Sequence, residues 1–200
     1  YALRRQIIDA CRRMNALGVN QGTSGNASAR LPDGGGILVT PSSLPYDAMA
    51  PEDIVAMAPD GSWDQGDNRG RRPTSEWRFH LDILNARPDV NAIVHTHGVY
   101  ATTLAVLHKD IPPFHYMVAV CGGHDIRCAP YATFGTQALS DHALTALDGR
   151  LACLLANHGA IVLGSSPEDA LARTVEVETL ARQYWQALQV GEPVLLSIEE

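Results

Sequence analysis

Apolar residues recur at helical spacing in several segments of the chain, and polar or glycine-containing segments separate them. The first stripe covers residues 3–17, and Gly18 directly after it is typical of a helix end. The later stripes predict helices over residues 76–84, 98–108, 140–147 and 166–190. The last of these has the clearest start, because Ser166 can cap it, Pro167 can occupy its first position, and two acids follow.

Short apolar runs between these stripes predict strands. They cover residues 37–40, 54–58, 90–97, 115–120, 126–129, 151–156 and 160–164. Strands that interleave with helices indicate the α/β class. Several hairpin-like spacings favour a mixed, largely antiparallel sheet with helices on both faces. Because no linker or repeat interrupts the chain, we expect one domain over residues 1–200.

Composition narrows the function classes. The chain has 200 residues, of which 46% are apolar and 18% charged, with a net charge of −7. A nucleic-acid surface needs a Lys/Arg-rich face, so we expect no nucleic-acid partner. No apolar run approaches the roughly 20 residues that cross a bilayer, so we expect no membrane span. The four cysteines form no Cys-x-x-Cys pair, which is typical of free thiols in a reducing cytoplasm.

Two histidines in the predicted strand 90–97 are candidate metal ligands. Residues two apart in a strand face the same side, so His95 and His97 project together. A lone buried histidine is usually a hydrogen-bonded core residue, but two adjacent imidazoles in an apolar strand are costly unless something binds them. His158 follows another buried strand. We predict a metal site on these three histidines, and treat the remaining five as non-ligands without a paired partner.

Three neutral imidazoles leave one open position on a tetrahedral metal, which is the pattern of a catalytic site. Nitrogen ligation favours Zn²⁺, and Mn²⁺, Co²⁺ or Fe²⁺ also fits. Glu76 is the candidate acid–base group. We predict Thr74 or Ser75 as the N-cap and Glu76 in the first helical turn. An acid at that position more commonly serves only the helix dipole.

Two turns are candidate anion-binding sites. Residues 21–30 combine glycines with hydroxyl and amide side chains, and residues 41–46 follow a strand with two adjacent serines. Backbone N–H groups in such turns can face a phosphate, although a surface turn leading into a strand explains the first segment equally well. The segment lacks the lysine of a nucleotide P-loop.

These motifs together resemble the class II aldolase/adducin family. The matching blocks occur in one order along nearly the whole chain: 21–26 (QGTSGN), 40–42 (TPS), 75–80 (SEWRFH), 94–97 (VHTH), 115–117 (HYM), 129–135 (APYATFG) and 158–159 (HG). The resemblance implies a mixed sheet between helical layers. It also implies a homotetramer with active sites at subunit interfaces.

By the same resemblance, His95, His97 and His158 hold Zn²⁺, and Glu76 is the catalytic acid–base that can also approach the metal. Tyr116 from a neighbouring subunit would protonate the aldehyde oxygen, and Phe134 would line the aldehyde side. The implied phosphate pocket comprises Gly25, Asn26, Ser42, Ser43, Thr74 and Ser75. Ser43 departs from the pattern of the fuculose-phosphate branch, which has glycine there.

The implied activity is reversible cleavage of a ketose 1-phosphate, such as L-fuculose 1-phosphate, to dihydroxyacetone phosphate and an aldehyde such as L-lactaldehyde. Other branches of the family remain open: aldolases for 5-deoxy-ketose phosphates and methylthioribulose-1-phosphate dehydratases. Pentulose-phosphate 4-epimerases are less favoured, because they carry Asp where this chain has Glu76. A non-catalytic adducin-like scaffold is least favoured, since all three histidines and Glu76 are present.

Overall fold

A seven-stranded sheet forms the centre of the computed structural model, which describes residues 1–64, 66 and 68–197. The strands are β1 (Asn26–Arg30), β2 (Ile37–Val39), β3 (Val55–Met57), β4 (Ala92–Thr96), β5 (Arg127–Ala129), β6 (Ala152–Leu155) and β7 (Gly159–Gly164). The α-helices of the described residues are α1 (Ala2–Ala16), α2 (Trp77–Ala86), α3 (Val99–Val106), α4 (Gln137–Ala146) and α5 (Pro167–Val190).

The strand order is β3-β2-β1-β4-β7-β6-β5. Every neighbouring pair is antiparallel except β5 and β6, which are parallel. The prediction of a mixed, largely antiparallel sheet is therefore confirmed. The central strand β4 carries His95, which pairs with Asn26 on β1 and with Ile161 on β7.

Helices cover both faces of the sheet, as predicted. Alternate strand residues such as Val39, Ile93 and Ile161 pack against α2 and α4 in one cluster of buried side chains. The intervening residues of β1 and β4 pack against α1 and the start of α5, and those of β6 and β7 pack against α3 and the middle of α5. His95 shares the parity of Ile93, so it faces α2.

The longest helix, α5, begins as the sequence predicts. Ser166 is its N-cap, and its hydroxyl accepts a hydrogen bond from the Asp169 N–H at 3.2 Å. Pro167 occupies the first turn, where its missing N–H costs nothing. None of the helices in the described part of the chain combines the length and apolar character that a bilayer crossing requires.

The predicted strand over residues 115–120 is wrong. Residues Tyr116–Cys121 form a 3₁₀ helix, and the His115 side chain caps it by accepting from the Met117 N–H. Its buried residues Val118 and Cys121 are three apart, which is the period of a 3₁₀ helix. Tyr116, Val118 and Ala119 of this run also line a surface cavity, so the run is apolar on more than one side and has the composition of a strand.

Two helix starts also differ from the prediction. Helix α2 begins at Trp77 with Glu76 itself as the N-cap residue, so Glu76 lies outside the first turn and neither Thr74 nor Ser75 caps the helix. The Glu76 side chain makes no capping hydrogen bond. Helix α4 begins at Gln137 rather than Ser140, because Thr136 accepts from the Leu139 N–H and caps it there.

The close contact between the end of β7 and α5 gives a stability prediction. A Cβ on Gly164 would lie 2.4 Å from the Ala170 backbone nitrogen, so Gly164→Ala forces the helix away from the strand. Overpacking of this kind costs about 1–3 kcal/mol, which corresponds to a loss of about 2–10 °C in Tm. Thermal unfolding at one protein concentration measures the loss. Gly191→Ala is the control, because nothing lies within 4 Å of its Cβ position; equal Tm values for the two variants would contradict the contact.

Candidate active site

Strand pairing brings the three candidate histidines together. His95 lies near the end of β4, and His97 follows just beyond that end. Because β7 runs antiparallel to β4, with Thr96 opposite Ala160, the turn that precedes β7 lies beside the end of β4. His158 is in that turn. Glu76 approaches from the N-terminal end of α2, on the face of the sheet toward which His95 points.

The four side chains converge on one point. His95 Nε2 lies 2.9 Å from His97 Nε2 and 3.2 Å from Glu76 Oε2. Glu76 Oε1 lies 3.1 Å from His158 Nε2. One potential ligand atom from each residue lies within 4.8 Å of all the others. The three rings meet edge to face, at interplanar angles of 75–80°, so their nitrogens point inward together.

The hydrogen bonds around these atoms fit a bound cation. His95 Nδ1 is 2.9 Å from the Ala160 carbonyl oxygen, which can only accept, so Nδ1 carries the hydrogen and the neutral ring presents a lone pair at Nε2. Glu76 Oε1 is buried and has no hydrogen-bond partner among the described residues. Lone pairs and a carboxylate oxygen that face one another repel unless a positive charge lies between them. The donor set therefore fits a divalent metal held by nitrogen and oxygen ligands.

The protonation states agree with that fit. Burial, reinforced by the nearby His95 and His158, lowers the pKa of His97 to about 4, so its ring is neutral at pH 7. Burial opposes ionisation of Glu76, but positive charge at His95 and His158 outweighs it and holds the pKa of this carboxyl well below its usual range. A divalent cation held between neutral rings would supply the same positive charge. Glu76 is consequently a carboxylate, able to bind a cation or accept a proton.

A cavity of about 320 Å³ opens beside the cluster. Glu76, His97 and His158 form its polar wall, and Phe134 with Tyr131 forms the opposite, aromatic wall. Both aromatic side chains are more than half exposed. The cavity can therefore hold a small organic molecule with its polar end on the cluster and an apolar end on the aromatic rings.

A second cavity, of about 480 Å³, adjoins the first at Ser75, which lines both. Ser42 and Thr74 also line it. Two backbone hydrogen bonds hold these turns side by side: the Thr74 N–H donates to the Thr40 carbonyl at 2.9 Å, and the Ser42 N–H donates to the Arg72 carbonyl at 3.0 Å. Of the residues predicted to bind phosphate, the structure thus brings Ser42, Thr74 and Ser75 to one cavity.

Ser43 is exposed and adjoins Ser42, with their hydroxyl oxygens 3.4 Å apart. Its φ of 57° lies in the left-handed region, which glycine adopts at no steric cost. This explains why glycine suits the position in the family pattern.

The predicted phosphate ligands Gly25 and Asn26 lie closer to the metal cluster. A Cβ on Gly25 would lie 2.6 Å from the His95 carbonyl oxygen, so any side chain at position 25 would clash with the backbone of β4. Asn26 is buried, and its side-chain nitrogen donates to Glu76 Oε2 at 2.8 Å. The amide of Asn26 is thus engaged on the carboxylate rather than directed into the second cavity.

Tyr116 lies away from the cluster within this chain. It is 72% exposed and lines a different cavity, of about 560 Å³, next to Pro113 and Leu196. A single chain does not bring Tyr116 to Glu76. Its predicted role therefore requires a second subunit, and it stays a prediction.

Sequence reasoning missed two groups near the site. His80, treated as lacking a partner, is fully buried and forms hydrogen bonds with both Ser28 and Asn26. Its position four residues after Glu76 on one helix was the available signal. Arg72 lines the second cavity and adds a positive charge to its hydroxyl-rich wall. The signal there was an arginine directly before the Pro-Thr-Ser block.

Comparisons with known proteins agree with this geometry. Residues 5–185 match the family model described as Class II Aldolase and Adducin N-terminal domain. A 5-methylthioribulose-1-phosphate/5-deoxyribulose-1-phosphate aldolase of Rhodospirillum rubrum is 54% identical over 200 residues, which cover 100% of this chain and 87% of the relative. An L-fuculose phosphate aldolase of Escherichia coli is 47% identical over 199 residues, covering 99% and 90%.

Among solved structures, an L-fuculose 1-phosphate aldolase superposes with a TM-score of 0.94 at 37% identity. The match covers 99% of this chain and 92% of that one. The family match extends over most of the chain, and the relatives align along nearly their whole length. The resemblance inferred from the sequence motifs is thereby confirmed: the chain belongs to the class II aldolase and adducin family.

Proposed function

We propose that this protein is a zinc-dependent lyase that reversibly cleaves a ketose 1-phosphate between C3 and C4. The products are dihydroxyacetone phosphate and an aldehyde; L-fuculose 1-phosphate, which gives L-lactaldehyde, or a close analogue is the substrate. The observation that carries the proposal is the convergence of Glu76 with His95, His97 and His158 beside a cavity that adjoins a hydroxyl-lined one.

The three imidazoles and Glu76 would hold the metal, and a divalent cation there would supply an electrophile for negative charge on the substrate oxygens. Zinc suits the nitrogen-rich set best, with Mn²⁺, Co²⁺ or Fe²⁺ as substitutes. In the cleavage direction the electron pair of the C3–C4 bond passes to C3. Glu76 removes the proton from the C4 hydroxyl, directly or through a relay, and then returns a proton to C3, so that its carboxylate is regenerated. Because the metal would supply the electrophile, the reaction needs no Schiff base between the substrate and a lysine.

The phosphate group of the substrate binds in the second cavity. Ser42, Ser43, Thr74 and Ser75 offer hydroxyl donors there, and Arg72 contributes positive charge. Gly25 and Asn26, also predicted to bind phosphate, lie closer to the metal cluster and are not part of this wall. A sugar phosphate anchored at that end presents C2 to C4 toward Glu76 across the shared Ser75 wall. Anchoring at a distance from the reacting bond also orients that bond.

The aldehyde end of the substrate lies against Phe134 and Tyr131. Apolar side chains favour an aldehyde with an apolar terminus, and the methyl of L-lactaldehyde meets this requirement. A second candidate substrate class has the same property: 5-methylthioribulose 1-phosphate and 5-deoxyribulose 1-phosphate. This candidate is favoured by the Rhodospirillum rubrum relative with 54% identity, which is named as an aldolase of those two compounds.

The active unit in this proposal is a homotetramer with sites at its subunit interfaces. Tyr116 supports it, because this tyrosine is exposed and distant from Glu76 within one chain. From a neighbouring subunit it would be the relay between Glu76 and the aldehyde oxygen, which it protonates in the condensation direction. A cytoplasmic location accompanies the proposal and is supported by the free state of Cys11, Cys121, Cys128 and Cys153.

A substrate panel tests the reaction. Zinc-loaded protein is expected to release dihydroxyacetone phosphate from L-fuculose 1-phosphate or from the 5-deoxy and 5-methylthio ribulose 1-phosphates. Removal of the metal with EDTA should lower the rate at least about 100-fold, and added Zn²⁺ should restore it. A coupled triose-phosphate assay follows the product. Epimerised or dehydrated products without triose release would reject the lyase assignment.

Glu76→Gln tests the acid–base role. The amide keeps the size and some of the ligand capacity of the carboxylate but cannot accept the proton. We therefore expect metal to be retained and kcat to fall by about 10²–10⁴-fold. Glu168→Gln is the matched control, since Glu168 is an exposed acid in the first turn of α5. A Glu76→Gln variant as active as that control would remove Glu76 from the reaction.

A further inference from the structure

A line of hydrogen bonds leads from Glu76 into the protein, away from both cavities. Glu76 Oε2 accepts from Asn26 Nδ2 at 2.8 Å, and Asn26 Oδ1 is 2.5 Å from His80 Nε2. His80 Nδ1 in turn lies 2.7 Å from the Ser28 hydroxyl. Every member is buried, and His80 and Ser28 have no exposed surface at all. The line passes back and forth between the N-terminal part of α2, which carries Glu76 and His80, and two alternate residues of β1, Asn26 and Ser28.

The direction of each hydrogen bond follows from the position of the Asn26 amide. Its nitrogen, which can only donate, faces Glu76 Oε2, and its carbonyl oxygen faces His80 Nε2. That oxygen only accepts, so His80 must carry its hydrogen on Nε2. His80 Nδ1 is then a lone pair, and the Ser28 hydroxyl donates to it. No other arrangement leaves every group in the line satisfied.

A single N–H on the imidazole is consistent with the surroundings of His80. Burial, together with nearby His95, lowers the pKa of His80 to about 3, so the ring is neutral at pH 7. Phe79 packs close to it, with ring centroids 4.6 Å apart. The tautomer and the ring position are therefore both fixed.

We propose that His80 is a positioning residue for Glu76, acting through Asn26 and itself held by Ser28. The inference rests on the proposed function, in which Glu76 is the acid–base and a metal ligand. His80 lines neither cavity and touches no substrate. Its hydrogen bond holds the Asn26 amide in the one orientation that anchors Glu76 Oε2, which leaves Oε1 directed at His158.

Anchoring one carboxylate oxygen fixes where the other one lies. A Glu76 side chain without this support can rotate and can lose its alignment with His158 and the cavity. Groups that orient a ligand from behind usually contribute about 10–100-fold to metal affinity or activity. His80 does not line the phosphate cavity, so we expect its replacement to affect substrate binding little.

Two substitutions at one position separate the hydrogen bond from packing. His80→Phe keeps a ring of similar size but removes both nitrogens, whereas His80→Gln returns an N–H near the place of Nε2. For His80→Phe we expect kcat and Zn²⁺ affinity to fall by about 10–100-fold, with KM changed less than about threefold. His80→Gln should recover most of both losses. Kinetics of triose release and Zn²⁺ competition against a chromophoric chelator measure them.

A second, less disruptive pair of substitutions tests the proposal even if His80→Phe misfolds. Ser28→Ala removes the donor to His80 and should lower kcat and Zn²⁺ affinity about fivefold. Ser140→Ala, the matched control, also deletes a fully buried hydroxyl, but that hydroxyl bonds only Asp82 and should leave both unchanged. Because Ser28 acts through His80, the double variant Ser28→Ala/His80→Phe should be no worse than His80→Phe alone.

The proposal is overturned if folded His80→Phe keeps wild-type kcat and Zn²⁺ affinity, or if His80→Gln is as impaired as His80→Phe. Equal effects of Ser28→Ala and Ser140→Ala would also overturn it. The Zn²⁺ measurements need no substrate. A wild-type protein without triose release would therefore reject the proposed function, while the affinities would still decide the role of His80.

Discussion

The site depends on keeping a negative charge inside the protein. Glu76 is only 5% exposed, and a buried carboxylate without partners costs several kcal/mol. Two features offset this cost. Asn26 donates to one oxygen of Glu76, and His95 and His158 face the two oxygens across the place where a bound cation would balance the charge. These partners come from three separate strands or turns, so the charge is tolerated only when the middle of the sheet is correctly assembled.

Local patterns were enough to predict the helices, most of the strands and the pairing of His95 with His97. Side chains two residues apart in an extended chain face the same side, so the sequence alone placed both imidazoles together, even though β4 ends before His97. The mixed sheet followed from strand spacing. The three-histidine set was also a sequence inference, since each member stands at the end of a buried strand. Family resemblance supplied the roles of the remaining residues.

What the sequence could not supply was long-range. His80 was set aside because its partners, Ser28 and Asn26, are 52 and 54 residues away, and no local pattern joins them. The run 115–120 was misassigned because apolar composition cannot separate a strand from a 3₁₀ helix when a side-chain cap decides. Helix α2 starts at Trp77 with a Glu76 side chain that faces the histidines and Asn26 instead of capping the helix, and no local pattern indicates this. Tertiary contacts outweighed local preference in each case.

Pro41 and Pro73 form an isolated β-bridge between the two segments that line the second cavity, and this bridge decides which nearby residues can be replaced without loss of the fold. Proline has no N–H, so no wider strand pairing can form between these segments, and backbone atoms alone make the two hydrogen bonds that join them. Side chains at positions 42, 43 and 75 therefore have no part in holding the junction. Replacement of these three residues can therefore change anion binding while the fold is kept. Replacement of the residues around Glu76 cannot, because their side chains themselves hold that part of the structure together.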